Sequence, residues 1–379
     1  MIKGEDRAGG AAGGTSARGA RERAHAAVVY NPVKVKRATL ERIVAEREAL
    51  HGWGPSEWFE TTVEEPGTSM AREAVAGGAR LVIAAGGDGT IRAVAGGIEN
   101  SGVAMGIVPL GTGNLLARNL EIPIDSVETA VAVAMSGAIR SIDMGRVTFT
   151  EEGSERTEVF LVMLGVGMDA EMIDGTDDRL KKQVGWVAYA STFTRSVFTG
   201  HRIRASYLID DDPEPRDTHA RTVLVGNCGV LQGGMVLMPG ALLNDGLFDV
   251  VALRPKGVAG WLRLAYAVLV QNTLLARMGV PPARRWAELA DSRREARREY
   301  WRRWTGFELP RSSMLTEHRR RVRERRADAQ TLVHDQGRRI EVRVADSPAA
   351  LQIDGDTVGR VDGFVAEVRS HALALRVPF

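Results

Sequence analysis

The chain has 379 residues, of which 44% are hydrophobic and 26% charged, and this composition predicts a soluble globular protein of two or three domains. Cys228 is the only cysteine, which excludes a disulfide framework and a zinc site built from cysteines. The 50 Lys and Arg residues nearly balance the 48 Asp and Glu residues, so we expect no nucleic-acid partner.

The first residues and the longest apolar stretch bear on localisation. Residues 1–25 are rich in Gly, Ala and Arg, which predicts a disordered tail and no signal peptide. Two arginines and two amides interrupt residues 258–280, so this stretch falls short of the roughly 20 apolar residues that a spanning helix needs. We expect a cytoplasmic protein that is not integral to a membrane.

Residues 26–110 alternate between short apolar runs and segments with helical spacing. The apolar runs predict strands at 26–30, 57–61, 80–85 and 103–109. The segments between them predict helices at 39–52, 69–76 and 91–98, and another helix follows Asn114. Strands and helices joined by short links predict a doubly wound, parallel α/β domain, which we assign to residues 26–141.

The pattern changes after residue 141. Alternating segments predict strands at 143–150, 158–166, 203–209, 221–227, 247–253, 338–344 and 349–353. The clearest helix in this part is predicted at 178–199. The second domain, residues 142–379, is therefore predicted to be an antiparallel β-sandwich.

A basic segment interrupts the second domain at about residues 257–335 and predicts a helical insertion. Residues 284–330 contain 15 arginines and 8 acidic residues, a net charge of +7. Five aromatic residues are interleaved with them. This composition fits peripheral contact of residues 257–330 with an anionic membrane. Mixed charges are equally typical of a solvated helical hairpin or of a contact between two copies of the chain, so a homodimer stays open.

A first glycine loop, Gly86-Gly87-Asp88-Gly89-Thr90, lies between a predicted strand and a helix. Its glycines allow close backbone approach to a ligand, and the following helix N-terminus suits phosphate. Asp88 would repel phosphate unless it serves Mg²⁺ or accepts a proton. The alternative is a tight turn closed by an Asp cap.

A second glycine loop, residues 110–114, follows one strand–helix unit later. Both loops would lie at the carboxyl end of the same sheet, where open α/β folds bind ligands, and this predicts a nucleotide site. The first strand is followed by Asn31-Pro32 and not by a G-x-G-x-x-G turn, which makes an oxidoreductase the weaker interpretation.

These motifs together resemble the diacylglycerol kinase catalytic domain of bacterial lipid kinases, to which sphingosine and ceramide kinases look related. The resemblance rests on the motifs GGDGT at 86–90 and IVPLGTGN at 107–114, together with residues 117–120. The resemblance extends to Asn31-Pro32, 165–170, 233–235, Pro239, LLNDGLFD at 242–249 and 353–356. It covers residues 26–256 and 336–379.

The resemblance implies an ATP-dependent kinase that phosphorylates a lipid hydroxyl in a cleft between a nucleotide-binding α/β domain and a β-sandwich lipid domain. Carried over by position, the residues around the nucleotide would be Asn31, Pro32, Thr62, Gly86, Gly87, Asp88, Gly89, Thr90, Gly111, Thr112, Gly113 and Asn114. Thr61 could take the place of Thr62.

The resemblance also implies a structural Mg²⁺ site. The Asp245 side chain and the carbonyls of Leu242 and Leu247 would supply its ligands, and oxygen ligands suit a hard cation. The same Asp-Gly sequence would also serve as a plain hairpin turn.

A late Asp354-Gly355-Asp356 motif supplies the implied general base. The family usually has Glu at the third position, and Asp356 is one methylene shorter, so Asp354 or Asp88 could share the role. We predict Asp356 and Asp88 as the catalytic residues. A solvated turn between strands is the alternative.

Two further departures from the family lie beside the nucleotide motifs. Residues 33–36, with two lysines, follow Asn31-Pro32, where the family often has small residues and Gly. Arg92-Ala93 follows GGDGT, where the family often has Asn-Glu, and Arg92 could contact the nucleotide phosphates.

The acceptor is expected to be diacylglycerol or a sphingoid-like lipid. Two other functions stay open: a kinase of a soluble acceptor such as NAD, and a non-catalytic, nucleotide-binding membrane adaptor.

Overall fold

The computed structural model describes residues 23–167, 202–231, 235–238, 240–255 and 332–379, with residues 260, 262, 264 and 266. Within this described part of the chain, no helix combines the length and the apolar character needed to cross a bilayer. The predicted helix at 178–199 lies outside the described residues, as do residues 1–22 of the predicted tail and residues 267–331 of the predicted insertion.

Four parallel strands begin the fold, and they are the apolar runs of the first 110 residues. They are β1 (Ala26–Tyr30), β2 (Glu57–Glu60), β3 (Leu81–Gly86) and β4 (Ala104–Pro109). Their order is β2-β1-β3-β4. Every residue of β1, β3 and β4 is buried, as expected for a parallel sheet that is covered on both faces.

Five helices cover this sheet. They are α1 (Arg37–His51), α2 (Thr68–Ala76), α3 (Asp88–Ile98), α4 (Leu115–Asn119) and α5 (Val127–Ser136). Leu40 of α1 and Val131 of α5 share one apolar core, whereas Ala71 of α2, Ile91 of α3 and Leu116 of α4 share the core on the opposite face. The prediction of a doubly wound parallel domain is therefore confirmed.

Local sequence explains where two of these helices begin and end. Helix α1 ends at Gly52, which adopts the left-handed conformation (φ 71°) and donates its N–H to the Glu48 carbonyl. Helix α5 begins after Ser126, whose side chain accepts the N–H of Thr129 as an N-cap.

Twelve further strands follow. They are β5 (Ala138–Glu151), β6 (Ser154–Phe160), β7 (Met163–Val166), β8 (Ile203–Ile209), β9 (Arg216–Ala220), β10 (Thr222–Gly226), β11 (Phe248–Leu253), β12 (Leu332–Gly337), β13 (Arg339–Val344), β14 (Ala349–Ile353), β15 (Asp356–Val361) and β16 (Gly363–Val377). A second sheet has the order β12-β11-β10-β7-β14-β15, and all of its pairs are antiparallel.

The second sheet packs face to face against β5, β6, β8, β13 and β16 and forms the predicted β-sandwich. One apolar core contains residues from both layers, for example Phe160 of β6 and Phe248 of β11, whose ring centroids are 5.0 Å apart. Alternate residues of each strand point into this core, as in β13, where Ile340 and Val342 are buried.

Strand β16 joins the two halves of the molecule. It pairs antiparallel with β5 and β13, and its last part pairs parallel with β4, with Ala374 opposite Ala104. The first sheet therefore has ten strands and continues without a break across residue 141, where the sequence predicts the domain boundary.

Several elements differ from the predictions. The single strand predicted at 158–166 is two strands, β6 and β7, because the chain leaves the first sheet at Phe160 and enters the second at Met163. The sequence patterns did not indicate β9, β12, β15 and β16. Strand β12 begins inside the predicted insertion 257–335, so residues 332–335 belong to the second sheet and are not helical.

Strand β16 was not predicted because Arg369, Ser370 and His371 interrupt its alternation of apolar and polar residues. The register of the β5–β16 pair shifts between Arg369 and Leu373, and His371 has a positive φ of 53°. A bulge of this kind breaks the period of two on which sequence-based strand prediction depends.

The packing of Gly145 against Phe160 gives a first prediction. A Cβ at Gly145 in β5 would overlap the fully buried Phe160 ring. We expect Gly145→Ala to lower the free energy of unfolding by about 1–3 kcal/mol, since an overpacked core forces side chains off their rotamers. Urea denaturation measures this change. The control is Gly54→Ala, whose Cβ would meet its nearest neighbours at 3.4 Å and should change stability little; equal losses in both variants would contradict the prediction.

Candidate active site

The predicted nucleotide-binding residues meet at one edge of the parallel sheet, because β1 to β4 all end there. The N–H of Asn31, after β1, donates to the Ala85 carbonyl at 2.9 Å, and the N–H of Leu110, after β4, donates to the Gly86 carbonyl at 2.7 Å. Thr62, after β2, is exposed at the outer end of this row, and its Oγ accepts the N–H of Glu65 at 3.0 Å.

The two glycine loops touch each other through their backbones. A Cβ placed on Gly111 would lie 2.9 Å from Gly87 Cα, and a Cβ on Gly87 would lie 3.5 Å from Gly111 Cα. A side chain at residue 111 would therefore push the loops apart. This contact explains why glycine stands at that position, beside any role in ligand binding.

The carboxylate of Asp88 links the two loops. It accepts the N–H of Asn114 at 2.9 Å and the N–H of Leu115 at 2.8 Å, so it caps the start of α4 from the neighbouring loop. Burial raises the pKa of Asp88, the two N–H donors oppose this, and the Asp356 carboxylate adds to the increase. The structure thus gives Asp88 a linking position, and its catalytic role stays a prediction.

The second loop is shaped by its own asparagine. Asn114 adopts a left-handed conformation (φ 48°), accepts the N–H of Gly111 through Oδ1 and donates to the Gly111 carbonyl through Nδ2, both at 2.9 Å. The exposed Thr112 lies at the tip of this closed loop. Arg118 supports the loop by donating to the Gly113 carbonyl at 2.9 Å.

The Asp354-Gly355 pair forms the tight turn between β14 and β15. Both residues have positive φ, 50° and 96°, which is the requirement of a two-residue type I′ hairpin. The buried Asp354 carboxylate accepts three backbone N–H groups at 2.9–3.0 Å, from the consecutive residues Leu161, Val162 and Met163. Asp354 therefore anchors the turn to the start of β7.

The buried position of Asp354 changes the pKa of its carboxyl group. Burial raises the pKa of Asp354 to about 6, while the Arg92 guanidinium and the three N–H donors oppose the increase. Both of its oxygens are occupied by backbone donors. The geometry therefore favours an anchoring role for Asp354 over a shared role as general base.

Asp356 lies at the first turn of α3, beside the first glycine loop. Its side chain is 58% exposed, and a Cβ built on Gly89 would lie 3.4 Å from its Oδ2 oxygen. Arg92 donates to the same oxygen at 2.9 Å and to the Ile353 carbonyl at 2.5 Å. The structure thus pairs Arg92 with the predicted base, a contact that the sequence analysis did not anticipate.

The predicted metal loop is attached to the first sheet by Asp143, a residue that the sequence analysis missed. The fully buried Asp143 carboxylate accepts the N–H of Gly246 at 2.7 Å and that of His371 at 2.8 Å. Its own N–H donates to the Leu243 carbonyl at 2.6 Å. The only signal in the sequence was a single Asp between two apolar residues, Ile142 and Met144, at the start of a predicted strand.

Within that loop, Asp245 is exposed, and its Oδ1 accepts the N–H of Leu247 at 3.0 Å. Partial burial raises the pKa of Asp245, and the neighbouring Asp249 and Asp143 add to the increase. The described residues contain no group of three or more His, Cys, Asp or Glu side chains that could hold a metal. A cation here would depend on one carboxylate and on backbone carbonyls such as those of Leu242 and Leu247, and the acidic surroundings fit that donor set.

A further residue that the sequence did not single out joins α4 to the second half of the chain. Asn119 donates to the Val230 carbonyl at 2.8 Å and accepts the Val230 N–H at 3.1 Å. The only signal was its place in the segment 117–120 that carries the family resemblance.

Comparison with known proteins agrees with this architecture. Residues 25–147 match the diacylglycerol kinase catalytic domain, and residues 162–269 match a domain described as the YegS C-terminal NAD kinase beta sandwich-like domain. A protein of Pseudomonas syringae pv. tomato named "Probable lipid kinase YegS-like" is 33% identical over 229 residues, covering 58% of this chain and 68% of that protein. The diacylglycerol kinase of Bacillus subtilis is 27% identical over 248 residues, 64% of this chain and 78% of that enzyme.

Solved structures show the same fold. A crystal structure of a diacylglycerol kinase from Bacillus anthracis str. Sterne has a TM-score of 0.56 at 15% identity and covers 94% of this chain and 98% of its own. Another crystal structure from that strain reaches a TM-score of 0.63 at 16% identity, covering 95% of this chain and 97% of its own. Fold and motifs together define a kinase. The chain belongs to the family of diacylglycerol kinase-like lipid kinases, which confirms the resemblance seen in the sequence.

The titration of Asp354 gives a second prediction. Its folded-state pKa of about 6 lies above the usual Asp value near 4, so its contribution to stability is present below about pH 4 and is lost as the pH rises through 6. Asp354→Asn cannot titrate. We expect the free energy of unfolding of the wild type to fall by up to about 3 kcal/mol more than that of the variant between pH 4 and pH 7.

Urea denaturation at several pH values measures this difference. Asp211→Asn, at an exposed turn, is the control and should keep the wild-type pH dependence. Parallel pH profiles for the wild type and Asp354→Asn would show that Asp354 titrates normally and would refute the prediction.

Proposed function

We propose that the chain is an ATP-dependent lipid kinase that transfers the γ-phosphoryl group of ATP to a lipid hydroxyl. One observation carries the proposal: a carboxylate from the second sheet, Asp356, lies at the first turn of α3, beside the glycine loop that begins that helix. Phosphate-binding geometry and a candidate proton acceptor thus meet at one place.

The glycine loops are suited to the nucleotide. The first N–H groups of a helix such as α3 lack intrahelical acceptors and carry a partial positive charge, which favours phosphate. The loop after β4 lies directly beside them and presents Thr112 at its exposed tip. Asn31 and Pro32 would border the nucleotide on the β1 side, and Thr62 would lie farthest out.

The chemistry would proceed in line at the γ-phosphorus. The Asp356 carboxylate would accept the proton of the lipid hydroxyl as its oxygen forms a bond to the γ-phosphorus. The bond from that phosphorus to the β,γ-bridging oxygen would break, leaving ADP and a phosphorylated lipid. Asp88 would hold the two loops at the spacing that this geometry requires.

Magnesium would bind at the loop of Leu242, Asp245 and Leu247. When bound there, the cation would offset the negative charge of Asp245, Asp249 and Asp143. Because Asp143 ties the same loop to β5 and β16, a cation at this loop would stabilise the region next to the cleft.

The names of the relatives support a lipid acceptor and, in one case, diacylglycerol; a sphingoid-like lipid is the other acceptor that we propose. Such substrates lie in membranes, so we propose that the protein works at the cytoplasmic membrane surface. Residues 257–330 would provide the contact through their arginines and aromatic side chains.

A second candidate is a kinase of a soluble acceptor such as NAD, which the NAD kinase-like description of the second domain favours. Labelled ATP, offered with diacylglycerol or sphingosine in mixed micelles and separately with NAD, distinguishes the two. A non-catalytic adaptor would bind ATP and transfer phosphate to none of these acceptors.

The proposed base gives a third prediction. Asp356→Asn should lower kcat for lipid phosphorylation by about 100-fold or more, because an amide cannot accept the proton, while the KM for ATP stays nearly unchanged. Asp362→Asn, at an exposed position of the turn between β15 and β16, is the matched control and should retain wild-type activity. Full activity of Asp356→Asn would remove Asp356 from the mechanism.

The proposed magnesium loop gives a fourth prediction. Asp245→Asn removes the one carboxylate ligand, so the Mg²⁺ concentration for half-maximal thermal stabilisation should rise about tenfold or more. The measurement is a thermal melt during Mg²⁺ titration without nucleotide. Asp125→Asn, at an exposed loop residue, should leave the titration unchanged; an unchanged midpoint in Asp245→Asn would place the cation elsewhere.

A further inference from the structure

Arg92 makes two bonds to one turn of the second sheet. Its Nη1 donates to the Ile353 carbonyl at 2.5 Å, and its Nη2 donates to Asp356 Oδ2 at 2.9 Å. The Arg92 side chain is only 17% exposed. The Arg92 guanidinium of α3 therefore binds the β14–β15 hairpin on both sides of its Asp-Gly turn.

The electrostatic surroundings explain why a cation stands here. Asp88 precedes Arg92 by one helical turn, so both side chains lie on the same face of α3. Burial raises the pKa of Asp88, and the charge of Asp356 adds to the increase; burial also raises the pKa of Asp354, which Arg92 opposes. Three carboxylates thus share the neighbourhood of this one guanidinium.

The two-point contact distinguishes this pair from an ordinary surface ion pair. Exposed ion pairs contribute little to stability, since both side chains lose freedom and water screens their charges. Arg92, however, also satisfies a backbone carbonyl next to the turn, and a planar guanidinium can hold two acceptors in fixed geometry, which an ammonium cannot. Arg92 therefore links α3 directly to the hairpin that Asp354 anchors to β7.

We propose that Arg92 is a positioning residue for phosphoryl transfer, which rests on the proposed function. It holds the short Asp356 side chain against the first turn of α3 by occupying Oδ2. The Oδ1 oxygen is then the one that receives the proton of the acceptor alcohol. Arg92 acts through Asp356 and does not bind the nucleotide phosphates.

The kinetic test uses Arg92→Gln, Arg92→Lys, Asp356→Asn and the double variant Arg92→Gln/Asp356→Asn. The control is Arg146→Gln, which breaks the 2.7 Å ion pair with Glu99 at the C-terminal end of α3, about 10 Å along the helix from Arg92. Labelled ATP and a lipid acceptor in mixed micelles give kcat and the KM for ATP of each variant.

We expect Arg92→Gln to lower kcat about 10- to 100-fold with little change in the KM for ATP, since a misplaced base slows the reaction without weakening nucleotide binding. Arg92→Lys should restore only part of kcat, because an ammonium cannot hold both acceptors in the fixed geometry of a guanidinium. Arg92→Gln should have no further effect in the Asp356→Asn background.

Three results would overturn the inference. They are an increase in the KM for ATP with kcat unchanged, equal effects of Arg92→Gln and the control Arg146→Gln, and full additivity of Arg92→Gln with Asp356→Asn. The first of these results would assign Arg92 to the nucleotide phosphates.

A readout without activity separates this inference from the proposed function. If the wild-type chain phosphorylates no acceptor, the proposed function fails. Hydrogen exchange of the amides of residues 354–358 then still decides whether Arg92 holds the turn. We expect exchange at least tenfold faster in Arg92→Gln than in the wild type or in Arg146→Gln, and unchanged exchange would overturn the inference.

Discussion

The parallel pairing of β3 with β4 is the constraint on which the rest of the site depends. Its register, with Gly86 opposite Pro109, ends both strands at the same level, so the two glycine loops leave the sheet side by side. Backbone contact between Gly87 and Gly111 and the two backbone N–H groups that donate to the Asp88 carboxylate then fix their spacing. A shift of one residue in this register would separate the loops and remove the site.

The second sheet contributes the Asp356 carboxylate, and contacts of Asp354 and Arg92 determine where it lies. Asp354 anchors the hairpin to β7, and the type I′ turn places Asp356 two residues further along, where Arg92 holds it. The candidate active site is therefore made by two layers of the molecule. Neither the α/β half nor the sandwich contains it alone.

The sequence predicted most of the fold because its signals are local. Apolar runs marked β1, β3 and β4, and glycines marked both loops and the hairpin turn. Strand β16 was missed since its bulge at residues 369–373 breaks the alternation, and β12 was missed inside a segment read as helical.

The candidate site was predictable only in part. The motifs named the residues near the glycine loops and the hairpin, but no pattern in one sequence shows that Arg92 meets a residue 264 positions later, or that Asp143 supports the loop of Asp245. Such pairings arise from tertiary packing, and the spacing along the chain carries no trace of them. Placement of the residues at one sheet edge is a finding of the structure, whereas their chemical roles stay predictions.

The shared strand β16 has a consequence for how the chain acquires its structure. During synthesis, β4 emerges long before β16, so this edge of the parallel sheet stays unpaired until Ala374 and Leu375 are available to pair with it. An unpaired apolar edge invites pairing with other chains, and long-range strand pairing is slow. Strand β16 therefore protects the edge of β4 only late in synthesis. A chain shortened before β16 would leave the α/β half prone to aggregation, even with both glycine loops intact.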